Sequence, residues 1–125
     1  MTATQVTRAT LYGLVFWFFA AMVVHFRPAL FDGGSANAVL LAASVPVCWL
    51  SIPVSRWASG VDARHVLDAN VVAIIVAALA DGIGITFLPD QLYAGVSAAS
   101  QFGAAWILWG VAWILLFAMM ARRRT

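Results

Sequence analysis

The sequence predicts an all-α fold, a four-helix transmembrane bundle with both termini on the cytoplasmic side. Three observations predict it. The 125 residues are 64% hydrophobic and 10% charged, with a mean hydropathy of +0.95; soluble domains are about 45–50% apolar. Four apolar windows, near 10–29, 36–54, 66–88 and 102–121, each reach the roughly 17–25 residues that a spanning helix needs. Among the short connections, Arg8, Arg56, Arg64 and Arg122 to Arg124 fall on one side and only Arg27 on the other, which by the positive-inside rule puts the first side in the cytoplasm. Residues 1–125 then form a single integral membrane domain, since no connection is long enough to bury a core of its own.

The first helix begins after Arg8 and ends in VVHFRPALFD, where Pro28 kinks or stops it. An arginine before an apolar run also opens a signal peptide. This run is longer than a usual signal core, and Phe19-Ala20-Ala21 lies inside it, so the helix is expected to be retained. In the second helix Pro46 and Pro53 bracket Cys48, Trp49 and Ser51; prolines remove backbone hydrogen bonds and bend a span. Cys48 reads as a small buried hydrophobe. One cysteine and two histidines make no metal spacing and no internal disulfide, so no cofactor and no metal are expected. The surplus of basic groups is small and scattered, which excludes a nucleic-acid surface; the terminal arginine triplet reads as an anchor on anionic lipid.

The third helix carries the chemistry. Asp62 is a reasonable N-cap, and Asp68 complements the positive end of the helix. Asp81 is different, because it lies on the order of 10 Å inside the outer end of a straight helix. A carboxylate near a span centre costs about 2.5–3.5 kcal/mol on insertion scales, so it should face the bundle and find a donor. Asn70 falls within roughly 20° of it around the helix, on a face made small by Ala73, Ala77, Ala80 and Gly84. Gly82-Ile83-Gly84 is no phosphate loop, lacking the strand-turn-helix context.

Arg27 and His25, at a similar depth on the first helix, are the expected partners of Asp81. A buried Arg27–Asp81 pair would keep both groups charged. Such a pair serves first as a lock between helices one and three, and otherwise as a binding or conduction site. Arg27 has two other options: it can snorkel to headgroups, or pair with Asp32. His25 is a candidate proton relay, or simply hydrogen-bonded to backbone. The fourth helix begins FGAAWILW and sets Phe102, Trp106, Trp109 and Trp113 on one stripe. These rings either line an aromatic cavity or pack against neighbours and acyl chains. Gly103 and Gly110 mark a thin contact strip.

Phe26-Arg27, the third helix running through Asp81 into Phe87-Leu88-Pro89, and Phe102 to Trp109 together resemble an uncharacterised family, a domain of unknown function, of short four-helix bacterial inner-membrane proteins. The chain departs from that family's pattern at Ala105 and at Leu79-Ala80. The resemblance implies a bacterial inner-membrane location and the same topology, and it supplies no activity, ligand or catalytic residue. Small multidrug exporters and fluoride channels overlap in size alone; the exporters' membrane glutamate has no counterpart, because the chain contains no Glu.

The functional expectation is a small non-enzymatic membrane protein in which Arg27, Asp81 and Asn70 form a polar cluster. That cluster is either structural or at the bottom of an outward-facing cavity, a transporter-like or ligand-binding arrangement with Trp106 and Trp109 in its wall. The alternative is an accessory subunit of a larger membrane complex, and a lipid-modifying enzyme is third. The bilayer is the first partner, and the Ala/Gly strips offer a route to a homo-oligomer or a membrane-protein partner.

Overall fold

A computed structural model describes residues 1–124. Four helices are long and apolar enough to cross a membrane: α1 Ala3–Phe26, α2 Ser35–Ser59, α3 Val66–Phe87 and α5 Ala98–Arg123. At about 1.5 Å per residue they exceed the roughly 30 Å hydrocarbon core. A one-turn helix, α4 Pro89–Leu92, and two 3-10 turns at Pro28–Leu30 and Ala63–His65 complete the order. The chain is a multi-pass membrane bundle.

Three of the spans, α1, α2 and α5, run longer than their apolar windows because polar caps extend them, while α3 matches its window to within one residue. Thr2 and Gln5 form a reciprocal capping box that starts α1 seven residues before the window. Pro28 sits just past the end of α1, at the first position of a 3-10 turn, where its missing N–H is harmless. α2 continues through Pro53 to Ser59 and stops at Gly60, whose φ of 68° is left-handed. Glycine takes that conformation without steric cost. Ser97 caps α5 by accepting from the Ser100 amide at 3.3 Å. Asp62 caps the turn before α3, and the hydrogen bond from His65 is the main cause that holds its carboxyl below the ordinary range.

Around the bundle the order is α1, α3, α5, α2, with α1 seated most closely on α3 and α2 on α5. Small residues set the first of these contacts. A Cβ on Gly13 would stand 2.5 Å from the Ala73 carbonyl oxygen, so the two backbones are nearly in contact. Gly103 lies against Val24 of α1, Gly84 against Tyr93, and Gly110 against Cys48 of α2. Ala73, Gly84 and Gly103 of the small-residue strips are buried by contacts within the chain.

At the end bearing the termini, α1 caps α2. Arg8 Nε donates to the Ala58 carbonyl at 2.8 Å and a terminal nitrogen to Trp57 at 3.2 Å, while Gln5 donates to Gly60 at 2.8 Å. These are orphan carbonyls at the negative end of a helix, where a guanidinium is favoured. Arg8→Ala should therefore lower stability by about 1–2 kcal/mol. Gly60→Ala should cost less in the Arg8→Ala variant than in the parent, since in the parent its Cβ would stand 2.6 Å from the guanidinium and displace it. Thermal melts of the two single variants and the double variant check both statements.

Candidate functional site

Asp81 stands six residues before the end of α3 and is 9% exposed. Its partners come from α1 and from the segment after α4. Tyr93 Oη donates to Asp81 Oδ1 at 2.5 Å, and Trp17 Nε1 donates to the same oxygen at 2.9 Å and to Tyr93 Oη at 3.1 Å. Burial, and then the hydrogen bond to Asp81, hold the Tyr93 phenol above its usual range, so it stays a neutral donor. Both donors converge on Oδ1. Among the described residues none donates to Oδ2.

This corrects the expected cluster. Arg27 ends α1 as its C-cap residue, is exposed, and has no side-chain hydrogen bond or ion pair among the described residues, where the only ion pair is Asp62–His65. Pro28 turns the chain outward at that point, so the guanidinium leaves the interior, and neither Asp81 nor Asp32 pairs with it; Asp32 instead accepts from the Gly34 amide at 2.7 Å. His25 does reach the region, through the backbone. Its Nδ1 lies 2.8 Å from the Tyr93 carbonyl, an acceptor, which assigns the proton to Nδ1.

Asn70 shares the face of Asp81 but not its network. Eleven residues earlier, about three turns nearer the terminal end, it is 2% exposed and donates to Ser55 Oγ at 2.9 Å and to the Val66 carbonyl at 2.8 Å. Ser55 passes its own proton to the Ile52 carbonyl at 2.8 Å. Helical periodicity gave the correct face, whereas the rise along the axis separates the two groups. Because Asn70 is buried and its amide protons are both bonded, Asn70→Ala should cost about 1–3 kcal/mol; Ser55→Ala in that background should then cost little. A melting series of the four proteins tests the coupling.

Between the α1–α3 and α2–α5 pairs lies a cavity of about 900 Å³ with Asp81 on its wall. Trp17, Phe16 and Trp106 give it an aromatic lining, and Ala77 with Gly110 leaves the room for it. Trp106 is held by a 2.7 Å hydrogen bond to Ser44 and by Phe31, whose ring centroid is 5.4 Å away. Trp109 is not on this wall. It donates to the Leu41 carbonyl at 3.0 Å and packs edge-on against Trp113 at 5.7 Å, so the tryptophan stripe divides between cavity and packing.

The cavity is not outward-facing. Phe31 and Tyr93, each 1% exposed, are the two largest fully buried side chains, and with Val24 and Ala21 they plug the end away from the termini. Ile52, Val66, Ile114 and Ala118 pack across the other end. The openings are lateral: Val15 and Phe19 of α1, Val47 and Leu50 of α2 and Leu108 of α5 line the cavity and are more than half exposed on the apolar flank. Trp17, Tyr93 and Ser44 were invisible as site residues in the sequence. The nearest signal for Trp17 was its position on one α1 stripe with Gly13 and Ala21; Tyr93 lies in a connection and carried none.

Among the described residues no group of histidine, cysteine and acidic side chains has metal-binding proximity. Comparison with family models, with curated proteins and with solved structures found no match for this chain.

Proposed function

We propose that the protein is a non-enzymatic, membrane-embedded binding or carrier protein of the bacterial inner membrane, with both termini cytoplasmic, that takes a lipophilic molecule from the bilayer into the Asp81 cavity. One observation carries this reading: a cavity of about 900 Å³, plugged toward both aqueous faces, open sideways through apolar residues and carrying a carboxylate. That volume is within the range of about 300–1,000 Å³ typical of small-molecule sites. A purely structural bundle gains nothing from a cavity of this size, because unfilled volume forfeits packing. The arginine asymmetry supports the orientation, and the family resemblance supports the membrane.

The test is retention of a neutral lipophilic probe, dodecan-1-ol, by protein in nanodiscs, read by native mass spectrometry after release from the disc. Wild type should retain it and Ala77→Trp, which places an indole in the cavity, should not, with melting temperature held. Equal retention by both proteins, or none by either, overturns the reading.

A further inference from the structure

The polar atoms on the cavity wall are nearly all committed within the protein. Tyr12 Oη donates to the Ser51 carbonyl at 3.5 Å, Ser51 Oγ to Cys48 at 2.6 Å, Ser44 Oγ to Leu40 at 2.7 Å, and Cys48 Sγ to Gly110 at 3.7 Å. The indole protons of Trp17 and Trp106 are taken by Asp81 and Ser44. Beyond the hydroxyl oxygens of Tyr12 and Ser51, which are neutral acceptors, what is left is one carboxylate oxygen. Asp81 Oδ2 lies on a wall that carries no arginine, lysine or histidine, and no described residue donates to it.

A carboxylate in an apolar site without a cation is costly, and Oδ2, which is accessible and has no donor within the protein, leaves that cost unmet. The two neutral donors on Oδ1 orient the group; they bring no compensating charge. The cavity that Asp81 lines is also lined by the aromatic rings of Phe16, Trp17 and Trp106, a residue type that attracts cations. An anionic ligand would meet a like charge with no counter-ion on the wall, and a neutral alcohol would supply a donor without the charge.

We propose that the ligand of this cavity is a lipophilic amine bound as its ammonium, with an N–H seated on Asp81 Oδ2 and its apolar body against Trp17, Phe16 and Trp106. The proposal rests on the cavity being a binding site at all, and the experiment separates the two. Asp81 supplies charge and acceptor, the Tyr93 and Trp17 donors fix the direction in which Oδ2 is presented, and the lateral openings admit an amphiphile whose tail is already in the bilayer.

The measurement is binding of three twelve-carbon probes in nanodiscs near neutral pH: dodecylamine, dodecan-1-ol and dodecanoate, in zwitterionic lipid that does not itself concentrate cations. Wild type should bind the amine about tenfold or more tighter than the alcohol, and the carboxylate least. Asp81→Asn keeps an oxygen for Tyr93 and Trp17, so the bundle stays folded by melting, while amine binding falls to that of the alcohol and alcohol binding is nearly unchanged. Dodecyltrimethylammonium, a cation without an N–H, should bind more weakly than the amine. If the alcohol binds and Ala77→Trp abolishes it but wild type shows no preference for the amine, the amine proposal is overturned and the cavity reading stands. If no probe binds, or all bind Ala77→Trp as well as wild type, both fall. The comparison within wild type decides the matter even if a variant proves unstable.

Discussion

Gly13→Val should abolish the folded bundle, and Gly82→Val should not. A side chain at Gly13 would begin 2.5 Å from the carbonyl oxygen of Ala73, 2.7 Å from its Cα and 2.9 Å from its carbonyl carbon, all backbone atoms of α3. No rotamer change relieves that overlap, so α1 and α3 must separate along their length. Overpacking typically costs about 1–3 kcal/mol where side chains can yield; here they cannot, and Gly13→Ala should already cost about 3 kcal/mol. The loss propagates, because the same helix pair positions Trp17 against Asp81 four residues further along α1. Gly82 has nothing within 4 Å of the added atom, and Gly82→Ala should be neutral or stabilising by up to about 1 kcal/mol from helix propensity. Gly103→Ala should fall between them, since its nearest contacts, at 2.9 and 3.0 Å, are side-chain carbons of Val24 and not backbone. Intrinsic tryptophan fluorescence during thermal or denaturant unfolding gives the order. Equal loss at Gly13 and Gly82 would mean that the α1–α3 crossing is not as close as described.

The sequence carried the fold well for a physical reason. In a membrane the hydropathy of a span acts on a whole segment, so it survives ignorance of any single contact. The caps at Thr2 and Gly60 moved the ends of α1 and α2 by several residues, and these depend on local hydrogen bonds that an apolar window does not register. The site was legible only at its centre. Asp81 is conspicuous as a charge in an apolar run, and periodicity placed it correctly on the inner face. Its partners were not legible, because periodicity fixes rotation about a helix but says nothing of which neighbour stands opposite. Of the two donors expected at the end of α1, Arg27 is the exposed C-cap residue just before Pro28, and His25 bonds the Tyr93 carbonyl and not Asp81. The real donors are a tryptophan one might assign to lipid and a tyrosine in a connection. The serine positions on α2 behave similarly: Ser44, Ser51 and Ser55 are buried and bonded, yet serine in an apolar span reads as incidental until its neighbours are known.

Tyr93→Phe should destabilise the bundle by about 1.5–3 kcal/mol, the range for a hydrogen bond to a charged group, while Arg27→Gln should stay within about 0.5 kcal/mol of wild type, as exposed sites usually do. The two residues make opposite claims on Asp81. Tyr93 is 1% exposed, bonds Oδ1 at 2.5 Å and presses its ring on Gly84, where a Cβ would stand 3.1 Å from it; removing its hydroxyl leaves a ring that still fills the plug. The loss therefore reports the hydrogen bond and not a cavity. In a double-mutant cycle, Asp81→Asn with Tyr93→Phe should show a coupling of about 1 kcal/mol or more, and Asp81→Asn with Arg27→Gln should be additive. Trp17→Phe should couple to both members of the first pair, since its indole N–H serves Asp81 at 2.9 Å and Tyr93 at 3.1 Å. Additivity between Asp81 and Tyr93, together with coupling to Arg27, would restore an ion pair between α1 and α3 as the element that holds the carboxylate. The expected pattern leaves Asp81 held by neutral donors alone, with no cation beside it inside the bundle, which is the condition that makes a cationic occupant of the cavity favourable.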